Sequence, residues 1–161
     1  MNTNDKAERY RQLVQQIAAL VEGETDMTAI MSNVAAAIHT EMGFWWTGFY
    51  RVVTDGVEAP EGELLLGPFQ GPVACMHIGY GKGVCGTAWQ RGETIVVPDV
   101  EQFPGHIACS SASRSEIVVP IYNNKVRRVI AVLDIDSEQL AAFDDTDRQY
   151  LEEICQIIAQ R

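Results

Sequence analysis

The chain has 161 residues, 47% apolar and 21% charged, a balance that fits one compact domain, 1–161, and excludes disordered, collagenous and coiled-coil classes. Its 12 Lys+Arg and 22 Asp+Glu leave a net charge of −10, which repels phosphate backbones and anionic lipid heads, so no nucleic-acid or membrane partner is expected. No apolar run reaches the roughly 18 residues of a membrane span, and the amino terminus MNTNDKAERYRQ lacks the basic and apolar regions of a leader. A reducing cytoplasmic location is therefore expected, in which any disulfide among Cys75, Cys85, Cys109 and Cys155 is transient and catalytic rather than structural.

Two helical patterns open the chain and make up a helical part, 1–42. Tyr10, Leu13, Val14, Ile17, Leu20 and Val21 form the first stripe, and Met27, Ile30, Met31, Val34 and Ile38 the second. Gly23 ends the first helix, and Thr25 or Asp26 can cap the second by accepting the free N–H groups of its first turn. Residues 43–161 then carry the sheet, the loops of the candidate site and a last helix. Six β-rich runs are predicted: Phe44 to Val53, Glu63 to Phe69, Val73 to Ile78, Thr94 to Val97, Ile117 to Tyr122 and Val126 to Ile135. Asn123-Asn124 separates the last two and favours an antiparallel hairpin, because both residues tolerate left-handed backbone. Asp144 is placed to cap the final helix, whose apolar face is Leu151, Ile154, Cys155 and Ile158. The fold class is thus α+β with a mainly antiparallel sheet.

Three of the four cysteines fall in Gly71 to Ile121. Cys85 follows a glycine loop that feeds a short helix, where the helix dipole would favour its thiolate, and Cys109 lies in a serine-rich loop before Arg114. Cys155, on a helix face, reads as core packing. Cys75-x-His77 with His106-x-x-Cys109 offers four soft ligands for zinc, although with atypical spacing, and no metal is expected. Gly81-x-Gly83-x-x-Gly86 matches the dinucleotide fingerprint by letter, but no repeated βαβ unit surrounds it. Glu116 heads one strand while Asp134 and Asp136 share one face of another, and acids so placed repel unless a cation or a shared proton lies between them. In the run from Phe44 to Tyr50, Trp46 and Tyr50 share one face and can wall a pocket, with Trp45 and Phe49 on the other.

On the motifs GPVACMHIGYGKGVCGTAWQRGETIVVPDVEQFPGHIACSSASRSEIVVPI and AVLDIDS, with WTGFY upstream, the sequence resembles the free methionine-(R)-sulfoxide reductases, which are stand-alone GAF domains. The resemblance implies a six-stranded antiparallel sheet with helices packed on it and a pocket closed by the cysteine loops. It implies Cys109 as the cysteine that attacks the sulfoxide, Cys85 and Cys75 as resolving cysteines, and Trp46, Tyr50, Glu116, Asp134 and Asp136 as substrate-binding residues. The reaction it implies needs no cofactor. Cys109 becomes a sulfenic acid, Cys85, or Cys75 by relay, condenses with it, and thioredoxin reopens the disulfide. A homodimer is expected by the same resemblance, with the apolar stripes of the opening helices as the contact. Cys155 has no family counterpart, and Ala131 stands where the family pattern carries a glycine. The alternative reading is a non-catalytic GAF sensor that binds a small ligand or registers oxidant through the same thiols.

Overall fold

The computed structural model describes residues 2–107 and 112–161. Its strands are β1 Trp46–Val53, β2 Glu63–Gln70, β3 His77–Gly79, β4 Ile95–Val97, β5 Ser115–Asn123 and β6 Arg128–Ser137. Its helices are α1 Thr3–Leu20, α2 Met27–Met42, α3 Gly83–Arg91 and α4 Asp145–Ala159, with a 3-10 turn at Val100–Gln102. The six strands form one sheet in the order β3-β2-β1-β6-β5-β4, antiparallel at every step. Among the described residues, no helix is long and apolar enough to cross a membrane.

Strand alternation sorts side chains onto the two faces of the sheet. Phe49, Ile117, Val119, Ile121, Leu133 and Ile135 pack on one face against Tyr10, Leu13 and Ile17 of α1, Ile30, Val34 and Ile38 of α2, and Leu151, Ile154 and Ile158 of α4. Trp46, Tyr50, Val118 and Val132 pack on the other face with Val84, Cys85, Ala88 and Trp89 of α3. The apolar stripe of α1 is therefore buried in the chain's own core, and the surface expected to make a dimer contact is already occupied. Of the large apolar residues of α1, Leu20 is exposed.

Capping fixes where the helices start. Asp26 accepts from Ala29 N–H at 2.9 Å and begins α2, and Asp144 with Asp147 forms a reciprocal capping box at α4. Asp147 also accepts from the Tyr10 hydroxyl at 2.6 Å and the Lys6 ammonium at 2.8 Å, which ties α1 to the start of α4.

One predicted run is much shorter than expected. The third strand spans His77–Gly79 rather than Val73 to Ile78, and its pairing with β2 covers Glu63 to Leu65. Leu66 N–H still reaches the Met76 carbonyl at 2.8 Å, but Pro68, two residues on, has no N–H with which to extend a ladder. Residues 71–76 consequently run as a loop that carries Cys75. The β5–β6 hairpin forms as expected, with its turn one step later. The Asn123 side chain accepts from Lys125 and Val126 N–H, and Arg127 takes the left-handed conformation at φ 57°. Ala131, where the family pattern has glycine, lies buried in β6 opposite Ile121 and Arg51 and leaves the hairpin intact.

Candidate active site

Register brings the acids together. In the β5–β6 ladder Glu116 pairs with Asp136 and Val118 with Asp134, while in β1–β6 Trp46 pairs with Asp136 and Gly48 with Asp134. Alternation then points Glu116, Asp134 and Asp136 to the α3 face, where all three line one pocket. Trp45, Trp46 and Tyr50 form its aromatic side, Val73, Ala74 and Ile107 its mouth, and Val84 and Cys85 its α3 wall.

The aromatic wall is held in place by backbone. Trp46 Nε1 donates to the Pro72 carbonyl at 2.9 Å, and its ring stacks on Phe69 with centroids 5.3 Å apart. Gly48 makes this possible, since a Cβ there would lie 2.5 Å from the Trp46 ring and 2.4 Å from Phe69 Cβ. The Tyr50 hydroxyl donates to the Cys75 carbonyl at 2.9 Å, which anchors the 71–76 loop over the sheet. Trp45, assigned by alternation to the core face, lines the pocket instead. It precedes β1, so the two-residue period does not reach it.

Burial pushes the carboxyls of Glu116 and Asp136 well above the usual carboxylate range, and the Asp134 charge adds to the rise in both. Burial raises Asp134 as well, against hydrogen bonds from Glu116, Cys85 and Asp136 that favour its charged form. All three carboxyls therefore favour the protonated form more than free carboxyls do, Glu116 and Asp136 more strongly than Asp134. One Asp134 oxygen, Oδ1, has no hydrogen-bond partner among the described residues, although the residue is only 6% exposed. A buried acceptor left open in this way is costly unless a ligand completes it. Asp136 is oriented by the Ser113 hydroxyl, which donates to it at 2.7 Å, and His106 Nε2 lies 3.9 Å from Glu116. Neither Ser113 nor Lys82, which also lines the pocket, was singled out by sequence reasoning, because a lone serine or lysine in a loop carries no periodic signal.

The cysteines divide into different chemical states. Cys75 is disulfide-bonded, while Cys85 and Cys155 carry free thiols. Cys109, the predicted attacking residue, lies outside the described residues. Cys85 does sit in the first turn of α3, but burial and then the Asp134, Glu116 and Asp136 charges push its thiol well above its ordinary value. The helix dipole expected to favour a thiolate is outweighed, and Cys85 is a neutral thiol 4.0 Å from a Glu116 oxygen. Cys155 is packed in the helical core and is likewise pushed up by burial, as its core reading expects.

Donor atoms of Cys85, Glu116 and Asp134 lie within 4.8 Å of one another and could approach one cation. A neutral thiol with two carboxyls and no imidazole suits neither a structural zinc site nor an all-oxygen cation site. The zinc set read from sequence does not converge, since the His77 ring is exposed and bound to Glu63 at 2.7 Å and Cys75 is bridged. The glycines of the apparent dinucleotide fingerprint serve packing. A Cβ on Gly86 would lie 2.5 Å from the Gly79 carbonyl oxygen, so glycine is what lets α3 close onto the end of β3.

Residues 24–161 match the family profile described as GAF domain. A Neisseria meningitidis structure, described as a free methionine-R-sulfoxide reductase in complex with its substrate, superposes with TM-score 0.90 and 49% identity over 99% of this chain and 92% of that one. GAF domain-containing protein A of Dictyostelium discoideum is 49% identical over 158 residues, 98% of this chain and 95% of its own length. The free methionine-R-sulfoxide reductase of Saccharomyces cerevisiae is 42% identical over 159 residues, 96% of this chain and 86% of its own.

Proposed function

Because this chain belongs to the GAF-domain family and stands close to its free methionine-R-sulfoxide reductases, we propose that it reduces the R epimer of free methionine sulfoxide to methionine, with residues 1–161 as one such domain. The observation that carries this reading is the open Asp134 oxygen, set between two proton-holding carboxyls beneath an indole wall. An α-ammonium can donate to this oxygen and stabilise the Asp134 carboxylate, and a residue inside a peptide has none to give. Trp46 and Tyr50 cover the methyl end.

In the proposed chemistry the Cys109 thiolate attacks the sulfoxide sulfur, and the Glu116 carboxyl gives its proton to the departing oxygen. The oxygen ends on sulfur as Cys109 sulfenic acid, and methionine leaves. A resolving thiol then forms the disulfide and releases water. Cys75 fits the resolving role better than Cys85, since Cys75 is bridged while Cys85 is a buried thiol that burial and three acids keep protonated. Thioredoxin is the proposed reductant. A homodimer, also proposed, must use surface other than the apolar stripe of α1.

Adding the R epimer to the reduced protein without reductant tests the reading. About one methionine per chain and loss of two thiols are expected, with peptide mapping placing the bridge between Cys109 and Cys75. A bridge that contains Cys155, or all four thiols intact, would refute it.

A further inference from the structure

The acidic residues of this chain are unevenly distributed. Leu64 to Gly92 and Phe103 to Ser115 contain no Asp or Glu and carry a net charge of +3 from Lys82, Arg91 and Arg114, against −13 on the rest of the chain. These two stretches supply the mouth of the pocket, including Val73, Ala74, Lys82 and Ile107. Disulfide-bonded Cys75 lies there between Val73, 87% exposed, and Met76, 67% exposed. Ile107, 39% exposed, covers the start of α3, since a Cβ on Gly83 would lie 3.1 Å from its side chain. Large apolar side chains this exposed on both flanks of a disulfide-bonded cysteine, in stretches that carry no acid of their own, mark a surface that another molecule covers.

We propose that Val73, Met76 and Ile107, with Lys82 beside them, form the docking surface for a small acidic protein that carries a vicinal dithiol at an apolar tip. The proposal rests on the reductase reading, since an enzyme that ends each turnover as a disulfide requires such a partner. Lys82 at the pocket, in a stretch without an acid, favours a partner of negative charge, and Val73 and Met76 provide the dry contact. A thiolate that approaches through the pocket meets Glu116, Asp134 and Asp136, whereas one that approaches over the 71–76 loop meets apolar side chains and then Cys75. Its sulfur bonds to Cys75 Sγ as the existing S–S bond breaks, and the displaced sulfur leaves as a thiolate that takes up a proton. The second thiolate of the partner then attacks the mixed disulfide and frees Cys75. Two electrons pass to the enzyme, and the partner leaves as a disulfide.

Turnover of the R epimer measured once with dithiothreitol and once with thioredoxin, NADPH and thioredoxin reductase tests the surface. Met76→Glu is expected to raise the KM for thioredoxin about tenfold or more, or about 1.4 kcal/mol, with dithiothreitol-driven turnover unchanged. Met76→Lys, which removes the apolar contact but keeps the charge match, is expected to raise it less. Val126→Glu, at the tip of the β5–β6 hairpin, is expected to leave both reactions unchanged. A thioredoxin KM in Met76→Glu equal to that of the wild type, or a larger effect from Lys than from Glu, would overturn the proposal. Thioredoxin lacking its second cysteine should trap a mixed disulfide that maps to Cys75, and mapping to Cys85 or Cys109 would overturn the direction of attack. Absence of dithiothreitol-driven turnover in the wild type would instead refute the reductase reading on which the surface depends.

Discussion

Asp134 presents an acceptor that no donor among the described residues reaches, and that single oxygen sets the expected specificity. A charge-assisted hydrogen bond to an α-ammonium contributes about 1.5–3 kcal/mol in a closed pocket, so N-acetylated substrate should lose about 10²-fold in kcat/KM. Asp134→Asn should weaken the free amino acid and shrink its advantage over the blocked one. Unchanged discrimination in that variant would mean that steric closure, and not this carboxylate, selects the free amino acid. The ligand-free site should also destabilise the fold. Glu116 keeps its proton in the native state to a pH where the unfolded chain has released it, so the native form binds more protons and stability falls as pH rises above about 4. Glu116→Gln removes one buried acid and should raise the melting temperature at pH 8, with the gain shrinking toward pH 4. A lower melting temperature at pH 8 would show that the Glu116 carboxyl is stabilising as it stands.

At the level of elements, α1 and α4 are joined by one polar latch. Asp147 is fully buried, caps α4, and accepts from Tyr10 and Lys6. Asp147→Ala should cost about 1–3 kcal/mol, because it leaves the buried Tyr10 hydroxyl without its acceptor and removes one of the two carboxylates that hold Lys6, while dithiothreitol-driven turnover at low temperature persists. Urea denaturation gives the cost, and a loss under about 1 kcal/mol would mean that the latch is redundant with the Tyr10–Tyr150 stack. Asp144, beside it, is held below the usual carboxylate range despite some burial, by its hydrogen bond with the Asp147 backbone and by Lys6. Its contribution is therefore present above the ordinary carboxylate value near 4 and lost as pH falls through its lowered native value. Much of this level was legible in the sequence. The stripes of α1 and α2, the Asp26 and Asp144 caps and the final hairpin follow from spacing and side-chain chemistry, which act within a few residues. The length of β3 did not, because it depends on what the partner strand can offer, and Pro68 lies in β2.

Across the whole molecule, the sheet works as a divider, with helices α1, α2 and α4 completing a core on one face and α3 and the 71–76 loop completing a site on the other. Alternation alone put Asp134 and Asp136 on one side and Trp46 with Tyr50 on one side, and both pairs line the same pocket. What alternation cannot supply is register. That Glu116 sits opposite Asp136 follows from how β5 meets β6 over nine paired positions, a property of the assembled sheet. Nor can sequence supply burial, which decides the state of Cys85. Its place at a helix start argued for a thiolate, and the acids that close around it in three dimensions reverse the sign.

The most direct measurement is NADPH consumption with thioredoxin and thioredoxin reductase, offering the R and S epimers of free methionine sulfoxide separately. Continuous turnover with the R epimer, none with the S epimer, and none with either in Cys109→Ser is the predicted result. Equal turnover of both epimers, full activity in Cys109→Ser, or a single stoichiometric oxidation with no turnover, as a sensor would give, would contradict it.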